Sequence, residues 1–569
     1  GNSFYPDNDG DTFGDSNATP VDSCTQPANH VADNTDCDDN DININPNATE
    51  VCLDGIDSDC DNTDSLGVCE GSVANDDFTI SGASASDRLG QAVSYAGNVT
   101  GSATRDFVLG SRWNGSENGA VYVFAGSGSL SGSAAATTAD ITITGQSSER
   151  FGYSVAGGTN LLGGITSDFN GDGNDDLLVG APNADVSGSA IGSAYMFYGP
   201  ISADTTSASA NAVFTGQFGQ DQSNPSNHNA VNTGYAVAFV GDINNDGIAD
   251  IAIGDPSKKN SGSTNGEAYL IFGRSDTFDG GGAQLTGEFE GANSLNELSW
   301  RSTMGREILS DGTDREQMGS AIDAIGDVNG DGIDDLAVGA FRWDQSSSNS
   351  NQNHGAVFGW YGGGSLWNQN LTDGGGNSIN SPLLVSHNSG NDTTDFTVIG
   401  ASAGDQIGRS ISGAGDFNGD GNLDIIIGSE HANSSAGLVM IVDGSGNTIA
   451  TFTGESTGDA AGRWVSTLGD INGDGADDVI LGAKLADSNG TDSGSTYIIL
   501  GGAGVTGTNS LASAEVLLTG AGAGDETGMT VSGMDDMDGD GISEILIGSF
   551  KTGASEQGSV QLIFGNTFQ

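Results

Sequence analysis

Asp168-Phe169-Asn170-Gly171-Asp172-Gly173-Asn174-Asp175-Asp176 runs directly into Leu177-Leu178-Val179-Gly180. The first nine residues have the form D-x-[DN]-x-[DN]-G-x-x-[DE], and an apolar run closed by glycine follows at once. The pattern recurs five more times. Asp242, Asn244, Asp246, Ile248 and Asp250 lead into Ile251-Ala252-Ile253-Gly254. Asp327, Asn329, Asp331, Ile333 and Asp335 lead into Leu336-Ala337-Val338-Gly339. The same positions are filled by Asp416, Asn418, Asp420, Asn422 and Asp424, then by Asp470, Asn472, Asp474, Ala476 and Asp478, and last by Asp536, Asp538, Asp540, Ile542 and Glu544. A long self-similar period predicts one supersecondary unit stacked many times.

The loop composition points to calcium, which takes six to eight hard oxygens at roughly 2.3–2.6 Å. Side chains at positions 1, 3 and 5 can face one turn, and the acid at position 9 can close it. A backbone carbonyl at position 7 explains why Asn174, Ile248, Ile333, Asn422, Ala476 and Ile542 are all tolerated there. Glycine at position 6 permits a turn with positive φ. An EF-hand would need a bidentate Glu at position 12 and flanking helices. Position 12 of the first loop is Val179, inside a strand-like run, so EF-hands are excluded. The competing reading is an Asp/Asn-rich turn without metal. Six loops in register favour six calcium sites.

Three further marks frame each loop. A turn precedes it, as at Arg88-Leu89-Gly90, Arg150-Phe151-Gly152 and Ile407-Gly408. An apolar strand follows, and then glycine with a second strand, as in Gly119-Ala120-Val121-Tyr122-Val123-Phe124. Counting these marks gives seven units. The first has Asn98, Thr100, Ser102 and Asp106 at the ligand positions, and is expected to keep the shape with weak or no metal binding. Runs such as Asp424-Ile425-Ile426-Ile427-Gly428 do not alternate, so they are expected to be buried on both faces. Four-stranded units covering each other around an axis make a β-propeller. The predicted fold is therefore all-β: a seven-bladed β-propeller of four-stranded blades with calcium loops, over residues 71–569. Strand-like residues 77–82 are expected to close the last blade and remove an open edge.

The Leu/Phe/Ile-Gly mark, the acidic loop and Gly180-Ala181-Pro182 resemble FG-GAP repeats, as in the integrin α-subunit propeller. The resemblance covers roughly residues 76–569. Gly-Ala-Pro is intact once; Gly254-Asp255-Pro256, Gly339-Ala340-Phe341 and Gly482-Ala483-Lys484 depart from it. The resemblance implies calcium loops on one face and partners on the loops of the other.

Residues 1–70 differ in composition and are expected to form a separate Asp/Cys-rich calcium-binding domain. All five cysteines lie there: Cys24, Cys37, Cys52, Cys60 and Cys69. With little apolar material, the segment needs disulfides and metals as staples. Zinc is disfavoured, because no C-x-x-C or Cys/His cluster is present. Candidate ligands are Asp7, Asp9, Asp11, Asp15, Asp36, Asp38, Asp41, Asp57, Asp59 and Asp61. The pattern resembles an Asp/Cys-rich metal-binding motif of secreted microbial proteins and the calcium repeats of thrombospondins. The expected pairs are Cys24–Cys37 and Cys52–Cys60, with connectivity open. Cys69 is then odd, and is a free thiol, a residue whose partner is missing, or an intermolecular link.

The formal charge is −62, from 77 acidic and 15 basic residues. Nucleic acids and anionic membranes are poor partners for such a surface. No apolar run approaches the ~20 residues of a membrane span. The start at Gly1 reads as a mature or trimmed product, and disulfide-type cysteines with calcium loops imply an extracellular or surface location. Gly400-Ala401-Ser402-Ala403-Gly404 and Gly454-Glu455-Ser456-Thr457-Gly458 match G-x-S-x-G, yet no helix pattern follows either, so no catalytic residue is assigned. Trp300, Arg301, Arg306, Arg315, Arg342, Trp343 and Trp367 are interface candidates, because aromatic and Arg residues anchor interfaces. Two functions stay open: adhesion or recognition of a protein or glycan, with calcium structural, and a protomer that polymerises into an extracellular filament or surface layer. A non-catalytic part of a hydrolase or lyase is the remote third.

Overall fold

The computed structural model describes residues 2–16, 18–42, 44–46, 60, 69–72, 78–102, 104–126, 130–158, 167–186, 189–216, 232–258, 265–274, 291–294, 305–310, 316–344, 352–363, 383–385, 393–553 and 555–565. The chain divides into two compact units, residues 1–69 with 565–569, and residues 70–564.

Among the described residues of the larger unit the strands form seven sheets of four or five strands, with one two-stranded ribbon, Asp185–Val186 and Ser189–Ala190, beside them. One sheet shows the plan. Ser154–Gly157 pairs antiparallel with Leu177–Ala181, that strand with Ser193–Phe197, and the last with Ala212–Thr215. Leu177–Ala181 is buried along its whole length. The reason is visible in its neighbours. Leu177 and Val179 pack with Val108 and Val121 of the sheet before. Leu178 packs with Ile251 and Ile253 of the sheet after. Alternate side chains of one strand point to opposite faces, and here both faces are covered.

Among the described residues no sheet closes on itself; the sheets meet through their first strands. Ala92–Gly97, Ser154–Gly157, Val237–Gly241, Met318–Gly326, Ser410–Gly415, Ala461–Gly469 and Thr527–Met534 pack each against the next, and the last packs against the first. The seventh sheet takes Phe78–Ser81 as its fourth strand, antiparallel to Ser559–Ile563.

Four strands per sheet is corrected by the structure: among the described residues, six of the seven sheets hold five. Gly132–Ala135, Thr205–Thr206, Gly291–Ser294, Leu383–Val385 and Gly507–Ser510 each lie parallel to an outermost strand. The crossing chain thereby pairs an edge that would otherwise be open. These segments are only two to four residues long, and all but Leu383–Val385 are made of small or polar residues, so they carry no strand pattern.

The glycine ending each apolar run has a packing reason. A Cβ on Gly482 would collide with the carbonyl oxygen of Gly528 in the next sheet, and one on Gly548 with that of Gly90. Gly110, Gly180, Gly254, Gly339 and Gly428 stand in the same way against Gly152, Gly234, Gly319, Gly408 and Gly462. Backbone meets backbone at all seven junctions. Gly482→Ala is expected to cost about 3 kcal/mol by overpacking, while Gly504→Ala, where nothing lies within 4 Å, leaves the urea midpoint unchanged. Equal midpoints for both variants would refute the packing role.

In the small unit Asn2–Pro6 lies between Val21–Ser23 and His30–Val31, antiparallel to both. Asp15 and Asp36 form a parallel bridge. The disulfide joins Cys37 to Cys60, with 5.5 Å between Cα atoms. This replaces both expected pairs: Cys24 is an exposed free thiol, and Cys52 lies outside the described residues. Sequence proximity misled here, because loop-closure entropy rises only slowly with length and does not enforce nearest-neighbour pairing. Among the described residues, no helix is long and apolar enough to cross a membrane.

Candidate metal centres

The six acidic loops share one hydrogen-bond frame. The position-1 aspartate accepts backbone N–H groups from across the turn: Asp168 from Asp172 at 3.0 Å and Gly173 at 2.7 Å, Asp327 from Asp331 at 2.9 Å and Gly332 at 2.6 Å. Asp242, Asp416 and Asp470 repeat both contacts, and Asp536 accepts from Gly539 and Gly541. Position 5 accepts the N–H of position 7, as at Asp172 from Asn174, 2.9 Å, and Asp540 from Ile542, 2.8 Å. The turn glycine takes φ near +90° at Gly173, Gly421 and Gly541, where a side chain would be strained.

The position-9 acid is rooted in the sheet. It opens the apolar strand, and Asp176, Asp250, Asp335, Asp478 and Glu544 are fully buried. Asp176 accepts Phe169 N–H at 3.0 Å and Gly199 N–H at 2.9 Å, so it ties the loop to the next strand end. Asp478 does the same with Ile471 and Gly501, and Asp335 with Val328 and Gly362. Burial pushes Asp176 up to about 8, with Asp168 and Asp172 adding to the push. Burial likewise takes Asp478 and Glu544 to about 8 and Asp335 and Asp424 to about 7, loop carboxylates again contributing. Asp250 is raised well above its ordinary value for the same reasons. Carboxylates crowded against an ionisation penalty are what a cation would relieve.

Asp536, Asp538, Asp540 and Glu544 bring one oxygen each within 4.8 Å of the others. Glu544 Oε2 accepts Met537 N–H at 2.7 Å, while its buried Oε1 has no hydrogen-bond partner. In the other five loops position 3 is Asn, whose amide turns to a neighbouring carboxylate, as Asn170 Nδ2 does to Asp172 at 3.1 Å and Asn244 Nδ2 to Asp250 at 3.2 Å. An amide rotated by 180° offers its oxygen instead.

The first unit closes without a metal set. Asn98 Nδ2 donates to the carbonyl of Ser102 at 2.6 Å, and Thr100 donates N–H and Oγ to Asp106. Position 8 carries a role absent from the loop pattern. Asp175 Oδ2 accepts Asn98 N–H at 2.8 Å, and Asp477 Oδ2 accepts Asp416 N–H at 2.7 Å, each across a sheet junction. Asp334 makes the equivalent bond to the Asp242 backbone. Ala249, Leu423 and Ser543 hold position 8 in the remaining loops, so this clasp joins alternate sheet pairs. The only signal was an extra acid before position 9.

In the small unit two acidic groups form, Asp7 with Asp9 and Asp11, and Asp9 with Asp36 and Asp39. Asp36 is fully buried with Oδ2 unpartnered, and Oδ2 of both Asp9 and Asp11 is buried and unpartnered too. Burial, with Asp11, Asp9 and Asp39 nearby, takes Asp36 up to about 6. Asp39, which the ligand set omitted, holds Asn8 through two bonds of 2.7 and 2.6 Å. Asp15 meets Asp36 through the backbone, Asp38 caps the N–H of Asn40, and exposed Asp41 stays outside both groups. Asp57, Asp59 and Asp61 lie outside the described residues.

The expected interface patch is corrected at Trp343, which is 4% exposed and packs edge-on against Phe358 in the core. Arg342 is exposed, over Phe341. Arg306 lies in the strand Gly305–Ser310; its side chain, Trp300, Arg301, Arg315 and Trp367 are outside the described residues. The serines of both G-x-S-x-G strings sit in turns, where Ser402 and Ser456 donate N–H to Asp405 and Asp459. Ser84 and Asp87 make the same turn in the first unit.

Models of the FG-GAP repeat match residues 164–195, 233–271 and 318–358, and that of the FG-GAP-like repeat matches 416–481. The Cu-binding MopE model, described as "Putative metal-binding motif", matches residues 36–65. Integrin alpha-8 of Mus musculus is 30% identical over 166 residues, 28% of this chain and 15% of that protein. Integrin alpha-5 of Xenopus laevis is 30% identical over 157 residues, 26% and 14% respectively. Integrin alpha-IIb of Homo sapiens is 28% identical over 159 residues. The chain thus spans about 15% of the length of these relatives. The larger unit has an integrin-alpha-like FG-GAP fold.

Proposed function

We propose that the larger unit is a seven-bladed β-propeller braced by six structural calcium ions, and that it serves as an extracellular adhesion or recognition module for a protein partner. The observation carrying this reading is Glu544, buried with a free oxygen among Asp536, Asp538 and Asp540. Five other loops stand at the same place in their sheets with a near-identical frame, in which position 1 accepts from positions 5 and 6 where Asp536 accepts from positions 4 and 6. The packing of first strand on first strand, and the seven glycine junctions, support ring closure. The integrin-alpha likeness supports a protein as partner.

The domain of residues 1–70 would hold further calcium through Asp7, Asp9, Asp11, Asp36 and Asp39. Copper is the alternative carried by the name of the matching motif. Copper sites favour imidazole and sulfur donors, whereas these groups offer carboxylate oxygen alone, the donor set of calcium. The ions would neutralise the acids while this chain's residues orient them, and no catalytic step is assigned.

The test is elemental analysis with electron microscopy of the purified chain in millimolar calcium. Six or more calcium ions per chain and separate ring-shaped particles are expected. Copper as the bound metal would overturn the ion assignment, and calcium-dependent filaments or sheets would replace recognition with assembly.

A further inference from the structure

The chain's scarce cations gather where the turns before the first strands meet. Arg409 and Arg463 both follow the glycine that starts a first strand, and Tyr153 and Tyr235 hold the same repeat position in two other sheets. The two tyrosine rings lie 5.0 Å apart. Arg409 donates to Tyr235 Oη at 3.1 Å. Arg112 stacks over Tyr153 at 5.1 Å, over Trp113 at 5.5 Å and over Phe550 at 5.7 Å. A cavity of about 230 Å³ between the first strands takes in Tyr153, Tyr235, Arg409 and Arg463, with Asp323 and Asp535 also in its lining, and Arg112 borders it through Tyr153.

Charge is unbalanced here. Arg409, Arg463 and Lys484 share one carboxylate, Glu430, at 3.2, 3.5 and 2.8 Å. Among the described residues Arg112 has no carboxylate partner, and Nε of both Arg112 and Arg463 has no hydrogen-bond acceptor. Three cations therefore share one anion, and Arg112 adds a fourth positive charge beside Tyr153, in a chain whose net charge is −62. A guanidinium stacked on a ring keeps its N–H edge free, and that edge fits the two oxygens of a carboxylate. The neighbouring arginines already show the preference: Arg88 is held by Glu556 and Arg150 by Glu117.

We propose that this mouth is a binding site for a carboxylate-bearing acidic peptide segment of a protein partner, received by Arg112 and Arg463. The site lies apart from the acidic loops and stands whether or not those loops hold calcium.

Fluorescence anisotropy of a labelled hexaglutamate peptide with the full chain in calcium tests it. Saturable binding is expected, at least tenfold weaker in Arg112→Gln, and absent for hexaglutamine. Arg112 makes no ion pair among the described residues, so its variant loses only ring stacking and should melt within about 2 °C of wild type. Arg274→Gln, which removes a cation beside the acidic loop of Asp246 and outside the cavity lining, is the control and should bind normally. No saturable binding, or equal binding by Arg112→Gln, overturns the site. Displacement of the peptide by inorganic sulfate at equal charge concentration overturns the carboxylate assignment.

Discussion

Removing calcium from the proposed loop sites should lower the melting temperature of the larger unit by about 8 °C. With calcium near 10 mM and a dissociation constant near 1 mM, each loop adds about 1.4 kcal/mol, and six add about 8 kcal/mol. Roughly 500 residues unfold with an entropy of about 1 kcal/mol per kelvin, which converts that energy to the stated shift. The pH dependence gives a sharper sign. In the metal-free chain the buried position-9 acids titrate high, Asp335 and Asp424 about 7, Asp176, Asp478 and Glu544 about 8. A carboxyl raised in the folded state favours folding below its unfolded value near 4, and that advantage is lost as pH rises through 7 to 8. The metal-free chain should therefore melt higher at pH 5 than at pH 8. With calcium the order reverses, because protons compete with the ion. Melts at both pH values, with 10 mM calcium and after passage over chelating resin, check it. A metal-free chain that gains stability between pH 5 and pH 8 would sink the account, as would melts indifferent to calcium.

Much of the fold was legible because backbone demands leave local marks. Gly173 is required by a left-handed turn, and Gly180 by a carbonyl from the next sheet, so both recur at fixed spacing. Leu177 to Val179 are apolar without alternation because two different sheets cover them. Contacts between distant segments leave no such mark. Asp175 and Asp477 look like one more acid in an acidic loop, yet each clasps the backbone of the preceding sheet. Trp343 stands beside Arg342 in sequence, but chain direction puts the ring into the core and the guanidinium into solvent. Cys37 reaches Cys60 past Cys52, a choice of geometry and not of spacing. The Arg112, Arg409 and Arg463 mouth was hidden for the same reason: its members are up to 351 residues apart, and only the meeting of sheets gathers them.

Glu430→Gln should cost about 3 kcal/mol. Glu430 follows the buried strand Asp424–Ser429 and is itself 8% exposed. Burial alone would raise its pKa, but Arg463, Lys484 and Arg409 outweigh that and hold it at about 2, against an ordinary 4.5. The difference corresponds to about 3 kcal/mol. Its sign is that of a depressed acid: the contribution is present above about pH 4.5 and lost as pH falls toward 2. Two of the cations gain less than the carboxylate does: burial and a neighbouring arginine pull Arg463 and Lys484 downward, whereas against burial Tyr235 and Glu430 hold Arg409 up. This favours the low end of the 3–5 kcal/mol typical of breaking a buried pair. The loss arises from cations left buried without their counter-charge, so removing one of them should restore part of it. Urea unfolding at pH 7 should rank wild type above Glu430→Gln with Lys484→Met, and that double variant above Glu430→Gln alone. A single-variant loss under about 1 kcal/mol, or a double variant less stable than the single, would mean that the cluster is held by packing and that Glu430 does not neutralise it.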